Sequence, residues 1–185
     1  MVWQQVPEDS AGRCLRDGAL GVADNHTDRL PRDFTIGLIG QGLVRILFLE
    51  CISTAEEELY TAAVQLTDLP DSDYEETLAD IVDKAGPQPY DNDVTLGQVA
   101  AFALRNQIPV HFIDLDIPHK THSGNPAKRD KHAADLFSQI TAQNGGPPGC
   151  LVLFGGAHFT GGTDTYRGGE PCLGELLKLS YVLMP

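Results

Sequence analysis

The chain is poor in cations. It has 13 Lys and Arg against 26 Asp and Glu among 185 residues, a formal net charge of −13 at pH 7. Nucleic acid demands a basic surface that displaces counterions from phosphates, so no nucleic-acid partner is expected. The same charge argues against an anionic membrane surface and against acidic substrates. Cysteine is scarce too. Cys14, Cys51, Cys150 and Cys172 form no C-x-x-C pair, which argues against a disulfide framework, a zinc knuckle or a thioredoxin-like motif. Each is read as a buried reduced thiol. No apolar run approaches the roughly 18 residues of a spanning helix. The segment Met1–Asp9 has no basic stretch followed by an apolar one. A cytoplasmic location is therefore the default expectation, with export by a signal-less route left open. There is no G-x-S-x-G elbow and no phosphate loop closing in Lys-Ser/Thr, so neither a serine-hydrolase elbow nor a P-loop is supported.

What remains is a globular composition, 42% hydrophobic and 21% charged, long enough to bury a core as one domain over residues 1–185. Residues 1–18 are polar and mixed, and read as an N-terminal arm. Short apolar runs at 19–24, 44–49, 108–113 and 150–154, with a last one in 176–184, have the length and continuity of strands covered on both faces. Helical patterns lie between them, at about 31–42, 53–66, 73–85, 96–106 and 126–143. Ser53–Glu56 has the spacing of a capping box, Asp71–Asp73 reads as a cap, and Thr95 caps the helix that follows it. Gly145–Gly149 is a turn block, and Thr160–Pro171 is loop. Strands alternating with helices predict an α/β fold: an open, mostly parallel sheet of about five strands with helices on both faces.

Ligands of such sheets bind at the carboxyl ends of the strands. There the sequence places chemistry three times. His26 follows the run ending at Asp24, Glu50 ends the run from Val44, and His158 follows the run from Cys150 within Gly155–His158. Imidazole and carboxylate together suit a divalent ion such as zinc or manganese with an open position for water. The same groups without metal serve as general acid and base. Asp24 is a further ligand or an acceptor that orients an imidazole, and Asp114 is placed similarly after its own strand. Each histidine alone would pass for a loop residue with a backbone partner, and Glu50 for a cap on the helix beginning near Thr54. Arg129 has the reach to fork onto a substrate carboxylate or phosphate, or to hold Glu50 or Asp114; the alternative is a solvated face in Lys128–Lys131. His111 reads as a satisfied strand residue. His119, His122 and His132 read as exposed.

The order of these residues resembles the superfamily that holds the TIKI proteases, TraB/PrgY, the erythromycin esterase EreA and the haem-binding lipoprotein ChaN. Five short motifs carry the resemblance, over about residues 19–160. Ala23–His26 stands where members have G-E-x-H, and Phe48–Glu50 matches a strand ending in glutamate. Gln107–Asp114 matches G-I-P-V-x-x-I-D, Arg129–Ala134 a helix start of the type R-D/N-x-x-M-A, and Gly155–His158 the G-x-x-H. The first motif departs from the pattern, with Ala23 for glycine and Asp24 for the longer glutamate. The resemblance implies an open α/β fold with its site at the strand ends, hydrolysis in some relatives and haem binding in another.

Three functions follow as expectations. The first is a hydrolase, metal-assisted, acting on a peptide, ester or other small polar bond of a peptide or small-molecule substrate. His26, Glu50, His158 and Arg129 would carry its chemistry; His26, Glu50, His158 and Asp24 would hold its metal. The second is a haem- or ligand-binding protein of ChaN type, with Tyr60, Tyr74, Tyr90 and Tyr166 as candidate axial ligands. The third is a secreted effector or toxin-like domain on the same fold.

Overall fold

The computed structural model describes residues 4–66, 70–87, 93–115, 126–161 and 169–184. It is α/β, with an open sheet whose strands all run parallel. They are β1 (Gln4–Gln5), β2 (Ala19–Asp24), β3 (Ile46–Ile52), β4 (Val110–Asp114), β5 (Cys150–Gly155) and β6 (Ser180–Leu183), in the spatial order β1-β6-β2-β5-β3-β4. Parallel neighbours cannot be joined by a hairpin, so helices cross over both faces. On one face lie α1 (Ala11–Asp17), α2 (Leu30–Gly40), α3 (Glu56–Gln65), α4 (Asp71–Ala85) and α5 (Leu96–Arg105). Leu20, Val22, Leu47, Leu49, Val110 and Phe112 pack against them. On the other face lie α6 (Pro126–Gln143), α7 (Ala157–Thr160) and α8 (Leu173–Leu177), over Ala19, Ala23, Phe48, Ile113, Val152 and Phe154. Alternate residues of one strand thus feed opposite cores, which is why the runs read as continuously apolar.

The sheet has six strands where the sequence predicted about five. The added strand is β1, a two-residue edge paired with β6. It belongs to the stretch expected to be an arm. Instead, Glu8–Ser10 forms a 3-10 turn and α1 follows, sinking Ala11 and Leu15 into the core. Those two residues, four apart on one helical face, are the only fully buried apolar residues of α1, too thin a signal to stand out among polar neighbours.

Thr95 caps α5 as expected. Its hydroxyl accepts from the Gln98 N–H at 3.2 Å, and Gln98 reaches back to the Thr95 N–H at 2.8 Å. The capping box at Ser53–Glu56 does not form. A 3-10 turn, Ser53–Ala55, precedes α3, and neither uses a side-chain cap. Glu56 instead reaches the open edge of β4, accepting from the Phe112 N–H at 2.7 Å and meeting His111 Nδ1 at 2.9 Å. One turn on, the Tyr60 hydroxyl bridges the N–H and C=O of Val110 at 2.9 and 3.0 Å. Two side chains at i and i+4 thus occupy an edge that would otherwise present unpaired backbone. Asp71 likewise is the first residue of α4 rather than a cap, which falls to Pro70. Among the described residues, no helix is long and apolar enough to cross a membrane.

Glu50 does not end its strand. β3 runs on to Ile52, and its register against β4 shifts between Leu49 and Ile52. Three steps along β3 match two along β4, so β3 carries one extra residue beside Glu50. Bulges of this kind re-aim side chains at sheet rims.

Candidate functional site

β2 ends in Asp24, which is almost fully buried, and the chain then turns sharply. The turn puts His26 in left-handed backbone, φ +63°, a conformation more open to His, Asn and Asp than to most side chains. Asp24 holds it there: Oδ1 accepts the His26 backbone N–H at 3.0 Å, and Oδ2 lies 3.1 Å from ring Nδ1. Arg32 of α2 places Nε and Nη2 on the same Oδ2, at 3.1 and 2.9 Å. With Nδ1 engaged, His26 turns Nε2 toward Glu50, 3.7 Å from Oε2.

His158 comes from the opposite setting. Gly156 continues β5 into α7, and the His158 ring is buried edge-on against Phe154 at 5.2 Å between centroids. Its Nδ1 makes a short contact with Asp130 Oδ1 of α6. Its Nε2 lies 3.5 Å from Glu50 Oε1. Two imidazoles, each oriented by an aspartate, therefore face different oxygens of one carboxylate.

Glu50 is further fixed by the Gly155 N–H on Oε2 at 2.6 Å and Arg129 Nη2 on Oε1 at 2.7 Å. Arg129 also forks onto Asp114, Nε to Oδ1 at 2.9 Å and Nη2 to Oδ2 at 2.5 Å. Gly155 is needed for this approach. A Cβ there would sit 3.0 Å from both Glu50 Oε2 and His26 Nε2, inside normal contact.

Electrostatics follow from the geometry. Burial opposes charge on His158, but Glu50, together with the hydrogen bond the ring donates to Asp130, outweighs it and raises the pKa to about 9. His26 is raised too: burial resists, while Asp24 and Glu50 favour the imidazolium. Burial also resists ionisation of Glu50, yet His158, Arg129 and His26 hold its carboxyl well below the usual range. Asp24 is lowered against its own burial by His26 and Arg32. Access is one-sided. His26 and Arg129 keep 19% and 24% of their side chains exposed, Glu50 and His158 only 5% and 7%.

All five site residues expected from the sequence meet at the strand ends, but in different roles. Asp24 spends its oxygens on His26 and Arg32, which makes it an orienting acceptor. Arg129 is committed to Glu50 and Asp114, not to an open anion site. Glu50 caps no helix. His158 is a buried residue of the short helix α7, not of a loop. His132, expected exposed, is half-buried, and its Nε2 is buried with no hydrogen-bond partner among the described residues. His111 is satisfied by Glu56. Tyr60 is committed to Val110, and Tyr74 is buried under the Arg105 guanidinium, 4.0 Å from the ring centroid. His119, His122, Tyr90 and Tyr166 lie outside the described residues.

Asp130 and Arg32 are the functional residues that sequence reading missed. A signal existed for both. Asp130 lies on the stripe Asp130, Ala133, Ala134, Phe137 and Thr141, and Arg32 on the stripe Arg32, Thr35 and Ile39; all are buried. A charge on the apolar stripe of a helix requires a buried partner.

Among the described residues no group of three His, Cys, Asp or Glu side chains is placed to hold a metal ion. Arg129 already sets a cation on Glu50, and the two Nε2 atoms address different oxygens.

One solved structure is similar in fold. It is the type III effector HopBA1, with a TM-score of 0.60 and 14% identity over 82% of this chain and 73% of that one. No protein-family model matches the sequence, and no curated protein matches it. At that identity the likeness is one of fold.

Proposed function

We propose that the chain is a hydrolase working by general acid–base catalysis at Glu50, His26 and His158, on a small polar bond of ester or peptide type. One observation carries the reading: two aspartate-oriented imidazoles present Nε2 to the two oxygens of one buried carboxylate. Environments that make paired titratable groups unequal mark acid and base roles. His158, deep and protonated up to a pH of about 9, is the acid that protonates a leaving group. His26, at the mouth, takes the proton of an attacking water in its neutral form. Glu50 stabilises both imidazolium states. The base must be neutral, which lies above its raised pKa, and the acid protonated, which lies below about 9. The rate profile is therefore a bell with its maximum on the alkaline side of neutrality. Both arginines near the site are already paired and the chain is acidic, which favours neutral or cationic substrates.

The test is hydrolysis of p-nitrophenyl esters and of a fluorogenic peptide panel by the wild type and Glu50→Gln. Each is run with a chelator and with added manganese or zinc. Turnover that survives the chelator and falls in Glu50→Gln supports the acid–base reading. Turnover lost to the chelator and restored by metal moves His26, Glu50 and His158 to the metal-assisted version. No turnover above the variant sinks both. The fold of HopBA1, a type III effector, supports a second reading, in which the site acts inside a host cell after delivery. Expression of wild type and Glu50→Gln in host cells, scored for any response that depends on Glu50, tests it.

A further inference from the structure

The stretch that holds His26 reaches beyond the dyad itself. Arg32 is buried and three-pronged: Nε and Nη2 lie on Asp24 Oδ2, and Nη1 donates to the Val94 carbonyl at 2.7 Å. Asp24 divides its oxygens between two tasks, Oδ1 on the His26 backbone N–H and Oδ2 on ring Nδ1. The terminal torsion of an aspartate is broad and two-fold, so nothing intrinsic to Asp24 decides which oxygen serves which task. Both tasks must be served together. A left-handed φ at a side-chain-bearing residue persists only when its surroundings impose it. The fork on Oδ2 removes the ambiguity, and the bond to Val94, just ahead of α5, anchors the fork to a second element.

We infer that Arg32 is a positioning residue for His26. Acting through Asp24, it fixes both the left-handed backbone of His26 and the ring orientation that aims Nε2 at Glu50. It deepens the acid–base reading and rests on it for one of two readouts.

The first readout needs no substrate. A proton on a ring Nδ1 held by a buried carboxylate exchanges slowly and gives a far-downfield proton resonance. The two dyads give two such signals, assigned by their loss in His26→Gln and His158→Gln. Arg32→Met is expected to abolish the His26 signal and keep the His158 signal. Arg32→Lys retains the charge but not the fork, and is expected to leave the His26 signal broadened. The second readout is turnover of p-nitrophenyl acetate. kcat should fall about tenfold to a hundredfold in Arg32→Met, and less in Arg32→Lys, with KM unmoved. A His26 signal unchanged in either folded variant overturns the inference. So does parallel loss of both signals in both variants, which would mean that Arg32 holds the fold and not the ring. Where Arg32→Met does not fold, Arg32→Lys decides alone. If the wild type turns over no probe, the hydrolase reading fails while the two resonances still decide on Arg32.

Discussion

His26 and His158 bring the same atom to the same carboxylate from opposite structural settings. His26 sits in a strained turn, partly open to water, and is held by hydrogen bonds to Asp24, two positions away, which Arg32 holds in turn from behind. His158 is sealed in α7, with its partner Asp130 reached across the sheet end from α6. One ring is placed by hydrogen bonds within its own turn, the other by packing and a hydrogen bond to a distant helix. The difference teaches that two rings meeting one carboxylate can carry unequal structural costs. It also separates effects on activity from effects on stability.

The sharpest break of the comparison is truncation of each ring. His158→Ala opens a cavity and strips the fully buried Asp130 of its imidazole. Breaking a buried ion pair from one side costs about 3–5 kcal/mol, so the expected result is a large drop in melting temperature together with loss of turnover. His26→Ala removes a partly exposed ring, and the left-handed backbone, which costs a Cβ-bearing residue about 1–2 kcal/mol, is already present in the wild type, so little is added. Turnover should be lost as fully, with a much smaller change in melting. Equal melting losses for the two variants would end the distinction between the settings.

Glu50→Gln tests what the two settings share. Shape is kept, but the charge that serves both rings and Arg129 is gone. Turnover should fall by about a hundredfold to ten-thousandfold. Initial rates at saturating ester, across pH, measure it. Activity within about twofold of wild type would remove Glu50 from the chemistry.

Stability against pH sharpens the contrast at lower amplitude. His158 has its folded pKa raised from 6.5 to about 9. A raised pKa contributes stability in full below the unfolded value, and that contribution drains away as pH climbs through the folded value. Urea midpoints should therefore decline between pH 6.5 and about 9, and the decline should flatten in His158→Gln. Glu50 and Asp24 are lowered, so their contribution is present above their unfolded values and is lost only in acid. A midpoint that rises through the alkaline window would contradict the placement of His158.

Much of the site was legible because its residues terminate apolar runs. A continuous run such as Cys150–Gly155 specifies a strand buried on both faces, and parallel strands bring their ends to one rim. That alone assembled His26, Glu50 and His158. Which oxygen meets which nitrogen was not legible. It depends on the bulge beside Glu50 and on the turn at His26, and neither has a local pattern of its own. Asp130 was hidden inside the charged run Lys128–Lys131. It belongs to the buried stripe of α6 only once the phase of that helix is set by Ala133, Ala134 and Phe137. The capping box expected at Ser53 failed for a different reason: Glu56 had a stronger claim on it at the unpaired edge of β4.

The smallest expected effect is at Thr95, and it asks whether the two dyads draw on separate parts of the fold. Thr95 caps α5 next to Val94, whose carbonyl anchors Arg32 and, through Asp24, His26. His158 is anchored to α6 on the other face of the sheet. Loss of an N-cap typically costs about 1 kcal/mol, so Thr95→Ala should lower the melting temperature by only a few degrees. A loosened start of α5 slackens the Val94 anchor. The downfield signal of the His26 ring should then broaden and turnover fall by a factor of about two or three, while the His158 signal stays sharp. If both signals respond alike to so remote a change, the two rings share one support and their contrast is only one of exposure.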